Sequence, residues 1–149
     1  MPSLSDKTHH NVDSKVLRQR LLAIVDHIDG GVVSIDERQS ILWINRAVEE
    51  MFGYDPQELL GKPVHQLIPD RYHERHPSYV QSFMDSGVES RRMYARAPVF
   101  GRRKNGSEFA CEITILKIEH DGCTEMVAMI RDLSEFSQHL EETDPVVAT

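Results

Sequence analysis

Three histidines, His65, His73 and His76, are the side chains in this sequence with the widest chemical repertoire. Imidazole ligates metals and changes charge close to neutral pH. His73 and His76 stand three apart and could join His65 as a metal-ligand set. No Cys, Asp or Glu spacing supports such a site, and a solvated helix face is the simpler reading. The carboxylate pairs Glu49–Glu50 and Glu141–Glu142 are adjacent in sequence, so their side chains diverge and make no acid–base dyad. No Gly-x-Ser-x-Gly, phosphate-loop or dinucleotide-binding glycine pattern occurs. The sequence therefore reads as non-enzymatic. Cys111 and Cys123 lie in separate segments without ligand spacing, which suggests free thiols in a reducing compartment. Cys111 falls on the apolar face of a strand and reads as an inert core thiol.

The charge balance narrows the partners. A formal charge of −7 opposes sequence-independent attraction to nucleic acid or anionic lipid. Arg91–Arg92 and Arg102–Arg103–Lys104 are local basic spots near strand ends, of the kind that solubilise edges or pair with carboxylates. The first residues are polar and lack a signal-peptide core, and no run reaches the roughly 18 apolar residues of a membrane span. A soluble, cytoplasmic protein is expected.

These groups need a scaffold, and the patterning supplies one. Residues 1–12 read as a disordered polar leader. Over 13–29, Leu17, Leu21, Ile24, Val25 and Ile28 form one helical stripe, capped by Asp13 or Ser14 and stopped at Gly30–Gly31. That stripe suits docking on the domain and suits a dimer seam, with Leu17, Leu21 and Ile24 at its centre. Short strands follow at Gly31–Ile35 and Ser40–Ile44, separated by a turn at Asp36–Arg38. Three short helices then run to Pro69, one of them opened by Pro56 and closed by Gly61. A helical stretch over residues 70–87 leads to a long strand from Met93 to Arg103. Asn105–Gly106 and Asp121–Gly122 mark hairpins around two more strands. Phe109, Cys111, Ile113 and Ile115 share one face of the first, with Glu112, Thr114 and Lys117 mostly on the other. Residues 134–149 read as an exit helix and tail. The class is α+β, a five-stranded antiparallel sheet with helices on one face.

This order, with Asp29–Gly30, Asp36, Asn45, Phe52–Gly53–Tyr54, Glu58 to Gly61, the segment from Gly101 to Phe109 and Arg131 to Glu135, strongly resembles the PAS domain family over about residues 20–135. The resemblance assigns 30–133 to the PAS domain. It implies a pocket for a small ligand or cofactor between sheet and helices, with output through the flanking helices, usually in a homodimer. It also implies a role in bacterial signal transduction or transcription regulation, with a kinase or cyclase as partner signalling protein. A ligand-free interaction module is the alternative. In the family an Asp-Ile-Thr segment couples sheet to exit helix. Here Asp132–Leu133–Ser134 keeps the Asp and a hydroxyl, and the pair would equally cap that helix.

Cofactor choice turns on a few positions. The flavin–cysteine photoadduct subset carries Asn-Cys-Arg where this chain has Pro63, Val64 and His65, so that chemistry is struck out. Residues 71–87 resemble the haem helix of oxygen-sensing PAS domains of the FixL type, with the axial histidine at His76. Tyr72, His76, Tyr79, Val80 and Phe83 then share a helical face, while His73 points elsewhere. Pro77 argues that the regular helix begins there and leaves His76 at its cap. The family's distal arginine falls on Arg96 counting from His76, and on Ala97 counting back from the Asn105–Gly106 turn, a slip that reverses the side chain's face. Trp43 could stack on a non-covalent flavin, although a lone Trp is more often core. His76, Tyr79, Phe83, Arg96 and Trp43 are thus the candidate cofactor contacts, with an unfilled or small-molecule pocket ahead of haem and haem ahead of flavin.

Overall fold

The computed structural model describes residues 13–93 and 99–134, and of 91–93 the backbone alone. Helix α1 (Ser14–His27) is capped by Asp13, whose side chain accepts the Lys15 N–H at 3.0 Å. Strands β1 (Gly31–Ile35) and β2 (Ile41–Ile44) follow, then α2 (Arg46–Phe52), α3 (Pro56–Leu59), single 3-10 turns at Val64–Leu67 and Asp70–Tyr72, and α4 (His76–Asp85). Four strands follow: β3 (Ser90–Met93), β4 (Val99–Arg102), β5 (Glu108–His120) and β6 (Cys123–Asp132). The expected leader at 1–12 and the exit segment beyond Ser134 lie outside the described residues.

Every strand pair is antiparallel, in the order β2-β1-β6-β5-β3, with β4 also on β5. The single long strand expected from Met93 to Arg103 is two pieces on the same edge. Met93 stands opposite Ile113 and Val99 opposite Cys111, so this edge holds five residues where β5 has one. Counting along the chain from either end therefore could not fix residues 96 and 97, which are outside the described residues.

The sheet's two faces follow from residue parity. Val33, Ile35, Phe109, Cys111, Ile115, Met126 and Ile130 face the helices and meet Val48, Phe52, Leu59, Leu67, Val80, Phe83 and Met84 in one core. Burial pushes the Cys111 thiol up to about 12, with Asp132 nearby adding to it, as an inert core thiol requires. Lys117 departs from the expected pattern. It shares the parity of Cys111 and Ile115, and its ammonium reaches the Met84 carbonyl at 3.3 Å and the Ser86 carbonyl. A cation there completes the unpaired carbonyls at the end of α4.

Local chemistry explains the short elements. Asn45 caps α2, and Gly53 closes it in the left-handed conformation that a Cβ disfavours. Asp55 and Glu58 form a capping box around Pro56. In the β1–β2 turn, Asp36 Oδ1 accepts from the Arg38 and Ser40 N–H groups. Among the described residues no helix is long and apolar enough to cross a membrane.

Gly101 is where backbone and core approach most closely. A Cβ there would stand 2.8 Å from Phe109 Cζ and 3.1 Å from Phe52 Cε1, two rings that already pack edge to face at 5.2 Å. Gly101→Ala should therefore destabilise the domain by about 1–3 kcal/mol. Urea unfolding checks this, and an unchanged midpoint would contradict the packing.

Candidate functional site

Helix α4 and the turns before it bring the three histidines together. The His65 and His73 rings stack at 4.9 Å, and the His76 ring meets His65 edge-on at 6.1 Å. The sequence allowed such a meeting, and the structure shows how it is made, with His65 arriving from a separate 3-10 turn. His73 is fixed by its Nε2, 2.7 Å from the Ile68 carbonyl, and its Nδ1 lies 3.8 Å from Asp70. Asp70 is itself held by Arg102 at 2.6 Å. Among the described residues, no group of three or more His, Cys, Asp or Glu side chains is placed to hold a metal ion.

His76 is the first helical residue and Pro77 the second, so the helix starts one residue earlier than the proline suggests. The reason is that a first-turn N–H has no intrahelical partner, so Pro77 costs nothing there. Its imidazole turns inward, with Nδ1 sealed from solvent and without a hydrogen-bond partner. Burial, then the charges of His65 and His73, lower its pKa to about 4. Burial and His73 lower His65 as well.

Two of the expected cofactor contacts are corrected. Tyr79 is 62% exposed, because the buried stripe is centred on Val80, Phe83 and Met84 and tilts Tyr79 off its flank. Tyr72, in a turn outside α4, is exposed too. Trp43 stands opposite Ser34, on the sheet face away from the helices. There its Nε1 donates to Glu125 at 2.9 Å, alongside the Ser34 hydroxyl. Burial would raise the Glu125 carboxyl, but these two donors and His120 outweigh it and hold it below the usual value. Phe83 lies in the core, 2% exposed, as expected of an inward residue. Arg96 lies outside the described residues.

After the last strand, the structure gives a specific partner to Arg103, which the sequence offered as a basic spot that solubilises an edge or pairs with a carboxylate. Arg103 Nη1 donates to the Met51 carbonyl at 2.5 Å, and Nη2 reaches Asp132 Oδ2 at 3.2 Å and Ser134 Oγ at 3.4 Å. Asp132 Oδ1 accepts the Ser134 N–H at 2.8 Å. Burial alone would raise the Asp132 carboxyl; the Ser134 and Arg103 hydrogen bonds prevail and lower it. The pairing of basic residues with carboxylates holds for the neighbours as well, Lys104 with Glu58 at 2.6 Å and Arg102 with Asp70.

The entrance is tied in the same way by Asn45, 1% exposed. Its Nδ2 donates to the Val25 carbonyl at 2.8 Å and to the Gly30 carbonyl at 3.0 Å, while Oδ1 accepts from Val32 at 2.8 Å. Asp26 of α1 also accepts the Arg46 N–H at 3.3 Å, but the helix has no fully buried residue, with Leu17, Leu21 and Ile24 at 40%, 53% and 58% exposure.

The half-buried His76, with its Nδ1 sealed from solvent, makes stability depend on pH. Its folded pKa, about 4, lies below the value near 6.5 of the unfolded chain, so unfolded chains bind more protons between the two. Stability is full above about pH 6.5 and is lost as pH falls towards 4, by up to about 3 kcal/mol. A His76→Phe variant should flatten that window in chemical denaturation; an equally steep loss would place the titration elsewhere.

Comparison with known proteins fits this geometry. A family model for the PAS fold matches residues 19–133. The oxygen sensor protein DosP of Escherichia coli is 26% identical over 122 residues, covering 78% of this chain and 14% of that protein. The sensor protein FixL of Bradyrhizobium diazoefficiens is 27% identical over 118 residues, covering 79% of this chain and 23% of that protein. The chain thus spans under a quarter of the length of each. Among solved structures, a PAS domain from Colwellia psychrerythraea superposes with a TM-score of 0.68 at 20% identity, covering 80% of this chain and 98% of that one. With the family model matching most of its length, and the antiparallel sheet backed by helices on one face, this chain belongs to the PAS family.

Proposed function

We propose that this domain is a non-catalytic sensory module of the cytoplasm, acting in bacterial signal transduction or transcription regulation. A small ligand on the helix side of the sheet would shift α4 and the strands behind it, and the flanking helices would carry that shift within a homodimer to a partner such as a kinase or cyclase. The observation that carries the reading is that both ends of the domain are bolted to α2. Asn45, its cap, holds α1, and Arg103 links the Met51 carbonyl to Asp132 and Ser134. A ligand acts through such a frame only by binding one arrangement more tightly than the other. The exposed apolar side chains of α1 support pairing, since each is worth about 1.5 kcal/mol or more on burial. Light scattering should give about twice the 17.1 kDa chain mass. Replacing Leu17, Leu21 and Ile24 together by Glu should halve it, and a wild-type monomer at high concentration would reject the dimer.

His76 favours a second reading, a haem-based gas or redox sensor. The neutral, inward His76 imidazole would hold the haem iron, and bound haem would supply a site for a diatomic gas or for one-electron chemistry. Tyr79 and Trp43 take no part in it. Protein supplied with haem should show a Soret band that a His76→Ala variant lacks. No band, or one that survives the substitution, excludes this reading and leaves the sensory module with another ligand.

A further inference from the structure

The turn between β1 and β2 reaches α4 through one side chain, Gln39, which holds a positive φ of 66°. Its carbonyl accepts the Val64 N–H at 3.0 Å, next to His65. Its carboxamide Nε2 donates to the Pro77 carbonyl at 3.0 Å, next to His76. Gln39 thus lies at the junction where the His65 and His76 rings meet. The other end of the carboxamide, Oε1, is sealed from solvent without a partner, and so is His76 Nδ1.

Two orphaned buried polar atoms beside one helix start call for an occupant, because native interiors rarely leave such groups unpaired. Their chemistry restricts it. Oε1 only accepts, so an anion would leave it unpaired, whereas Nδ1 of a neutral imidazole donates in one tautomer. Burial keeps His76 neutral, so the pair presents one acceptor and one donor with no net charge. A single hydroxyl satisfies both, its O–H directed to Oε1 and a lone pair to Nδ1–H. We propose that a buried hydroxyl, of a water or of a small alcohol, bridges Gln39 Oε1 and His76 Nδ1 and makes the junction of the β1–β2 turn with α4 a ligand subsite. The bridge ties α4 to the sheet opposite the end that Lys117 holds. It stands apart from the haem reading, since it uses Nδ1 and needs no iron.

The test is histidine and glutamine side-chain NMR on the whole chain near neutral pH, with methanol and ethanol as probes. The expected result is a protected His76 Nδ1 proton with a cross-relaxation peak to a long-lived hydroxyl. A peak to water that persists at high alcohol assigns the bridge to water. Its replacement, with saturable shifts confined to Gln39 and His76, assigns it to the alcohol. Gln39→Met should abolish the peak and weaken any alcohol response about tenfold, while Gln39→Glu, which keeps an acceptor, should retain the bridge if the Met variant does not fold. Direct hydrogen bonding between Nδ1–H and the Gln39 carboxamide, or an Nδ1 without a proton and no bound hydroxyl, would overturn the proposal.

Discussion

One buried carboxamide holds the front of this domain together. Asn45 offers two donors and an acceptor, and each finds backbone: Val25 and Gly30 carbonyls on one side, Val32 and Val48 N–H groups on the other. A hydroxyl also donates and accepts, but the carboxamide offers two donors and a separate acceptor atom on a short stem. The result joins α1, β1 and the cap of α2 in one unit. An apolar residue of similar volume would strand at least three backbone groups away from water, each costly to leave unpaired. Helix α1, none of whose residues is fully buried, is joined to the domain by this residue and by Asp26, which accepts the Arg46 N–H.

Everything else is arranged around that fixed corner. Helix α2 runs from Asn45 to the Met51 carbonyl that Arg103 grips, so entrance and exit of the domain share one short helix. On the far side of the core, α4 is held at its end by Lys117 and at its start by Gln39. Between those points lie Val80, Phe83 and Met84, whose contacts are apolar and non-directional. A helix fixed by directional bonds at its ends and by apolar packing along its length can shift without breaking its connection to the sheet. The outer face of the sheet has its own polar cluster, where Glu125 gathers Ser34, Trp43 and His120.

The sequence carried the architecture well where local rules act alone. Asn45, Gly53, Pro56, Gly61 and the two hairpin turns mark boundaries because cap and turn chemistry is decided within four residues. Alternation in β5 gave its core face through Ile115. It misplaced Lys117, because a charged residue was assigned to solvent while a helix end opposite offered it carbonyls. The α4 stripe was legible but its centre was not: His76 and Phe83 turn inward, whereas Tyr79 falls off the flank. Trp43 was visible as an aromatic residue, and only its cross-strand partner Ser34 shows which face it occupies.

What the sequence determined by itself is the order of elements and the family pattern, because these rest on periodicity, turn residues and motif spacing. Tertiary structure alone decided the chemistry. His65 belongs to a 3-10 turn, His76 to the start of α4 and Gln39 to the β1–β2 turn, while Arg103 lies far in sequence from Met51 and Asp132. Such meetings depend on how the helices fold over the sheet, a relation between distant residues that no local spacing encodes.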